Sequence, residues 1–225
     1  MQWPSLNLRR VFCNVVALPD GRLFVVGGAD KDHEKGEPVI PVYTPEIFDP
    51  AAQTPQWQTL ASHQSRRVYH SWALLLPDAR VMVGGGRTGP VQWDPLLDSD
   101  YEIYEPDYLF GNTQPRPVIT SVPSGPITYA NQFEVDVRVG FGDSVAYLVL
   151  VRPASVTHSF NSEQRVLGLA KTTQWCNLIP PGTFSTCRFT VTAPPDGNYA
   201  PPGYYMLFAL NEEGYPSEAA FVQLL

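Results

Sequence analysis

Charge is scarce in this sequence. Only 16% of its 225 residues are charged, and acids outnumber bases to leave a formal charge of −7. That balance argues against nucleic acid as a partner, because phosphate contacts need clustered Lys and Arg. Long apolar runs are also missing. None approaches the roughly 20 residues that cross a bilayer, so no membrane span is expected. Met1-Gln2-Trp3-Pro4 leads to Leu8-Arg9-Arg10 without the apolar stretch of a signal peptide. On that basis the protein is cytoplasmic, or the chain begins inside a longer parent. Cysteine is rare: with three in the sequence, intrachain pairing leaves at least one over. Cys176 and Cys187 flank Pro180-Pro181-Gly182, a turn that would let them face each other across a hairpin. Whether they join stays open, since a disulfide is expected only in an oxidising compartment. Cys13 lies in an apolar stretch and reads as a small buried hydrophobe.

Long helices are the next absence. The chain carries 23 Pro and 17 Gly; Pro removes a backbone donor and fixes φ, and Gly weakens element interiors. Short strands joined by tight turns are expected, and the length suffices for one large or two modest β domains.

An internal repeat organises the N-terminal half. Arg10-Val11-Phe12-Cys13 leads into Ala17-Leu18-Pro19-Asp20-Gly21-Arg22 and Leu23-Phe24-Val25-Val26-Gly27-Gly28. Arg67-Val68-Tyr69-His70 leads into Leu75-Leu76-Pro77-Asp78-Ala79-Arg80 and Val81-Met82-Val83-Gly84-Gly85-Gly86. The copies lie about 57 residues apart, slightly above the roughly 50 of kelch repeats. Each reads as strand, turn, strand, with Pro-Asp presetting the turn and Gly-Gly marking close approach of another backbone. This is the inner hairpin of a propeller blade, with outer strands expected at Val42-Tyr43-Thr44, Glu46-Ile47-Phe48 and Tyr101-Glu102-Ile103-Tyr104. Two blades cannot close a propeller of 4–8 and would leave open strand edges. The missing blades are therefore expected from a longer parent or another chain.

Pro115-Arg116-Pro117 marks a linker, dividing the chain into incomplete propeller blades over 1–114 and a second domain over 115–225. In the latter, segments at Gln132 to Val139, Ala146 to Val151, Cys187 to Thr192 and Tyr204 to Leu210 alternate apolar with polar residues, as half-buried strands do. The spacing fits a seven-strand immunoglobulin-like sandwich, although it has no Cys…Trp…Cys pattern. The fold class is all-β: a partial kelch-type propeller followed by an immunoglobulin-like early-set sandwich.

Histidine occurs four times. His33, in a charged loop, and His63, in a polar connection, read as solvated surface residues. His70 opens a blade's inner strand, where side chains point at the propeller axis, and His158 is expected at a strand-to-loop corner of the second domain. Two imidazoles with phenolates would suit Cu(II). From spacing alone, however, two histidines so far apart in sequence do not make a metal site, and two hydrogen-bonded structural histidines are the simpler reading. No His-x-x-x-His or Cys-x-x-Cys spacing supports zinc. No Gly-rich loop opens a helix after a strand, so nucleotide phosphate binding is unsupported.

Arg67-Val68-Tyr69-His70-Ser71 followed by Leu74-Leu75-Leu76-Pro77-Asp78 resembles the segment of galactose oxidase and glyoxal oxidase that gives copper an axial tyrosine and an equatorial histidine. Thr157-His158-Ser159-Phe160-Asn161, continuing through Gln164-Arg165, resembles the loop carrying that family's second histidine ligand. Val42 to Ile47 and Pro202 to Phe208 resemble two further family segments, in family order. The resemblance implies the C-terminal part of a copper radical oxidase, with Tyr69, His70 and His158 as copper ligands and Tyr69 as catalytic base. Phe12 and Tyr43 are implied as pocket residues. It also implies a primary alcohol, aldehyde or carbohydrate substrate oxidised with O₂ to give H₂O₂, and an extracellular location. The family's radical cofactor, a tyrosine thioether-linked to a cysteine, belongs to earlier blades, so the isolated chain is expected to be inactive. The alternative from another class is a non-catalytic module that binds carbohydrate or protein.

Overall fold

The computed structural model describes residues 3–31, 39–87, 100–179 and 182–225. Its regular structure there is β, apart from one 3₁₀ turn at Asp107–Leu109. Two compact units are present. One comprises Met1–Leu76, Arg80–Tyr104 and Ala154–Gln164; the other comprises Pro77–Ala79, Glu105–Pro153 and Arg165–Leu225.

The first unit holds two antiparallel sheets. Strands β1 (Asn14–Ala17), β2 (Leu23–Val26), β3 (Glu46–Phe48) and β4 (Trp57–Thr59) form one in sequential order. Strands β5 (Tyr69–Leu75), β6 (Val81–Arg87) and β7 (Tyr101–Tyr104) form the other. Glu46 to Phe48 is a strand as expected, whereas Val42 to Thr44 is not. Prolines at 41 and 45 bracket that stretch, each lacking the N–H a ladder needs. Phe24, fully buried, stacks on Tyr104 with ring centroids 4.3 Å apart, joining β2 to β7.

The repeat is geometric as well as textual. Backbone φ is positive at Phe12 and His70, at Gly21 and Ala79, at Gly27 and Gly85, and at Gly28 and Gly86. All four pairs share one offset of 58 positions. A side chain at Gly27 would drive into the Arg67 carbonyl, and one at Gly84 into the Trp72 ring. Those overlaps explain why Gly ends both apolar runs.

An ionic clamp built on a buried arginine side chain recurs with the repeat. Arg10 reaches Glu46 at 2.6 Å, with both side chains fully buried, and also donates to the carbonyls of Gly27 and Thr44. Arg67 donates to the Gly85 carbonyl and to Asp100 and Glu102. In each copy the glutamate accepts two consecutive backbone N–H groups, of Asn7 and Leu8 for Glu46 and of Gln64 and Ser65 for Glu102. Burial alone would raise the Glu102 carboxyl, but these backbone donors and Arg67 bring it below its ordinary value.

The second unit contains two four-stranded antiparallel sheets formed by β8 (Val118–Ser121), β9 (Gln132–Gly140), β10 (Val145–Val151), β13 (Val166–Gly168), β14 (Lys171–Ile179), β15 (Phe184–Thr192), β16 (Gly203–Asn211) and β17 (Ala220–Leu224). The orders are β14-β15-β9-β8 and β13-β10-β16-β17, eight strands rather than seven. Inward residues of both, among them Val135, Val137, Leu148, Phe189, Tyr205 and Leu207, form one core. The Tyr205 hydroxyl satisfies itself on the Pro201 carbonyl at 2.7 Å. Cys176 and Cys187 are directly opposite in the β14–β15 pair and form a disulfide. Cys13 is half-buried, and burial raises its thiol pKa. Strands β11 (Val156–Thr157) and β12 (Phe160–Asn161) make a small hairpin that belongs to the first unit although its sequence interrupts the second.

Candidate metal centre

Successive residues of a strand point to opposite faces. Tyr69 and His70 do not: their rings lie side by side, centroids 3.9 Å apart and 27° from parallel. The cause is backbone. His70 has φ 63, and the Ser71 N–H turns back to the Val68 carbonyl at 3.1 Å, a tight turn with positive φ at its third residue. Alternation is broken there, and both side chains fall on one side.

His158 is delivered by a different device. Thr157 pairs with Phe160, leaving His158 and Ser159 as a two-residue hairpin loop with φ 52 and 61. Positive φ at both loop residues is the type I′ pattern, which ordinarily takes Asn-Gly. His-Ser in that loop holds the backbone in a sparsely populated region, a cost of order 1–3 kcal/mol per residue that tends to be kept where a side chain must be aimed. The remaining residues of the segment support the mount. Asn161 Oδ1 accepts the Ser155 N–H at 3.2 Å, and Gln164 Oε1 accepts the Ala17 N–H of β1 at 2.7 Å. Arg165 donates to the carbonyls of Asn198 and Tyr199 in the second unit's own fold.

These devices bring together residues 88 positions apart. His70 Nε2 and His158 Nε2 are 3.0 Å from each other, with the rings nearly perpendicular at 89°. Tyr69 meets the His158 ring edge-on at 5.7 Å, and Phe12 meets Tyr69 edge-on at 5.4 Å. His158 Nδ1 lies 2.7 Å from Thr157 Oγ1. Both histidines are solvent-exposed. Tyr43 takes His63 as its ring neighbour at 5.5 Å. His63 departs from the solvated residue expected: it is half-buried, its Nδ1 bonds to the Ser65 carbonyl at 2.7 Å, and burial lowers its pKa. His33 lies outside the described residues.

A metal can be tested against this geometry. Two nitrogens bound to one ion at roughly 2.0 Å and at right angles are about 2.8 Å apart. The separation of 3.0 Å between His70 and His158 therefore suits adjacent positions on one ion. Among the described residues no group of three His, Cys, Asp or Glu side chains is placed to hold a metal ion. The donors present are two imidazoles and a neighbouring phenol, an N,O combination suited to Cu(II) rather than to a thiolate or carboxylate site. Sequence reasoning missed the two Arg–Glu clamps; the recurrence of Arg10 at Arg67 and of Glu46 at Glu102 was the available signal.

Comparison with known proteins bears on the same segments. Residues 116–224 match the galactose oxidase-like, early set domain family, and residues 2–93 match the glyoxal oxidase N-terminus family. Galactose oxidase of Gibberella zeae is 33% identical over 226 residues, an alignment covering 98% of this chain and 30% of that protein. The aldehyde oxidase GLOX of Vitis pseudoreticulata is 34% identical over 227 residues, covering 96% and 41% respectively. A solved structure described as a novel fungal alcohol oxidase of the AA5 family in complex with copper aligns over 100% of this chain and 44% of its own, with TM-score 0.78 and 32% identity. The chain thus spans less than half the length of these relatives. It is homologous to galactose oxidase and glyoxal oxidase, matching the models of two of their domains.

Proposed function

We propose that Tyr69, His70 and His158 are copper ligands, and that the chain is the C-terminal portion of a copper radical oxidase acting on a primary alcohol or aldehyde. Residues 1–114 would be two blades of a kelch-type propeller whose other blades come from a longer parent or a second chain, and 115–225 the early-set sandwich. The observation that carries the reading is the 3.0 Å approach of the two Nε2 atoms beside the Tyr69 ring. The alcohol gives up two electrons and two protons, which O₂ takes up as H₂O₂. Copper, when bound, would supply Lewis acidity and a one-electron couple. Tyr69 would accept the substrate hydroxyl proton as general base, His70 and His158 would hold the ligand geometry, and Phe12, edge-on to Tyr69, would wall one side of the pocket. The Cys176–Cys187 disulfide supports an extracellular location, where such bonds persist.

The test is Cu(II) titration of the chain followed by electron paramagnetic resonance. A single tight site with nitrogen hyperfine structure is expected, lost in His70→Ala and in His158→Ala and kept in His63→Ala. Equal binding by all four proteins would overturn the assignment and leave a non-catalytic binding module as the better reading.

A further inference from the structure

We propose that Thr157 is a positioning residue that sets the tautomer of His158. The inference rests on the copper reading, since only one tautomer of His158 offers the lone pair that a metal needs. A neutral imidazole carries one proton, and whichever nitrogen holds it cannot ligate. The type I′ loop fixes the ring direction: Nδ1 faces the hydroxyl of its own hairpin at 2.7 Å, and Nε2 faces His70 at 3.0 Å. If Nδ1 holds the proton, His158 donates to Thr157 Oγ1, and the exposed Thr157 hydroxyl directs its own O–H toward solvent as a hydrogen-bond donor. The Nε2 lone pair then points at the place where the two rings converge. Without metal, His70 Nε2–H can donate to it. The hydrogen bonds then run in one direction, from His70 through His158 to Thr157, and such chains reinforce one another. The opposite arrangement, with Thr157 donating to Nδ1, puts the proton on His158 Nε2 and closes the site to a metal.

Thr157 suits this task because it precedes its imidazole on the same two-residue hairpin. Partner and ligand cannot drift apart while Thr157 and Phe160 remain paired. A ligating histidine commonly donates its second N–H to an oxygen partner, and losing that partner typically weakens metal affinity 10- to 100-fold.

Two measurements decide the matter. The first needs no metal: long-range ¹H–¹⁵N correlation spectra of the full chain at about pH 8, where ordinary histidines are neutral. His158 is expected as the Nδ1–H tautomer in the wild type and in Thr157→Ser, shifting toward Nε2–H in Thr157→Val. A wild-type His158 protonated on Nε2 overturns the proposal, as does a Thr157→Val spectrum identical to the wild type. The second is Cu(II) affinity by calorimetry, with Thr157→Val expected to bind 10- to 100-fold more weakly and Thr157→Ser close to wild type. Undiminished affinity in Thr157→Val, in a protein that loses copper on His158→Ala, overturns the role of Thr157 and leaves the copper site standing. Failure of the wild type to bind copper sinks the copper reading instead, and the tautomer spectra still decide for or against Thr157.

Discussion

His70 and His158 present their Nε2 atoms to each other at 3.0 Å from two unrelated turns, both held at positive φ. One turn interrupts the start of β5, and the other is the tip of the β11–β12 hairpin. Neither residue would occupy such a conformation for its own stability, because a non-glycine side chain crowds its backbone there.

That strain is testable at Ser159, the loop residue beside His158. Ser159→Gly should stabilise the chain by about 1 kcal/mol by removing the Cβ from a position with φ 61. The gain is reduced by the added freedom of the unfolded chain. Urea unfolding measures it directly. A destabilised glycine variant would mean the loop is not strained.

The Arg10–Glu46 clamp should behave as a buried pair and not as a surface one. Both side chains are fully buried at 2.6 Å. Truncating one partner leaves the other charge uncompensated, a loss of about 3–5 kcal/mol. Glu46→Ala also frees the Asn7 and Leu8 N–H groups that the carboxylate accepts. Chemical denaturation of Glu46→Ala and Arg10→Ala should place both losses near that range, and the double variant should cost less than their sum. Losses below about 1 kcal/mol, the value of a surface pair, would contradict the burial.

These two features bear on how much of the molecule the sequence disclosed. The hairpins were legible because Leu18-Pro19-Asp20 and Leu76-Pro77-Asp78 punctuate two apolar runs, and the sandwich strands because Phe133, Val135, Val137 and Val139 alternate with polar neighbours. The convergence of Tyr69, His70 and His158 was expected only through family resemblance. Nothing in the local pattern tells that consecutive residues will abandon alternation, as Tyr69 and His70 do, or that His-Ser will fill a loop suited to Asn-Gly. Both conformations are imposed by surrounding structure against local preference, so propensity points away from them. His63 was misjudged for a related reason: its polar neighbours suggested exposure, while a non-local approach to Tyr43 half-buries it.

The pH dependence of stability should carry the mark of Asp136. Arg188 donates to it through two nitrogens, at 2.7 and 2.8 Å, and these bonds hold its carboxyl below the ordinary 3.8 despite partial burial. A depressed native value means that the unfolded chain takes up the proton first. The contribution is therefore complete above about pH 4 and declines as the pH falls toward the native value. Asp136→Asn should lower stability at neutral pH and flatten the acid limb below pH 4. Parallel wild-type and variant curves between about pH 2 and 5 would rule the coupling out.

Oxidising an alcohol to an aldehyde removes two electrons, and copper cycling between its common states accounts for one. In the family that this chain resembles, a tyrosine thioether-linked to a cysteine carries the other. Of the three cysteines here, Cys176 and Cys187 are joined to each other, and Cys13 is half-buried with its thiol pKa raised, which disfavours the reactive thiolate. His70 and His158 are also exposed, so water would screen the electrostatic stabilisation that a closed site provides. Loaded with copper, the 225-residue chain should produce no H₂O₂ above background from galactose, glyoxal or glycerol in a peroxidase-coupled assay. A longer chain of the length of the relatives should produce it, and should lose it on Tyr69→Phe or His158→Ala. Peroxide from the short chain alone would place a second redox group within these residues, with Tyr43 and Cys13 the first pair to substitute. Silence from both chains would remove the oxidase reading and leave the two histidines as a metal-binding pair without chemistry.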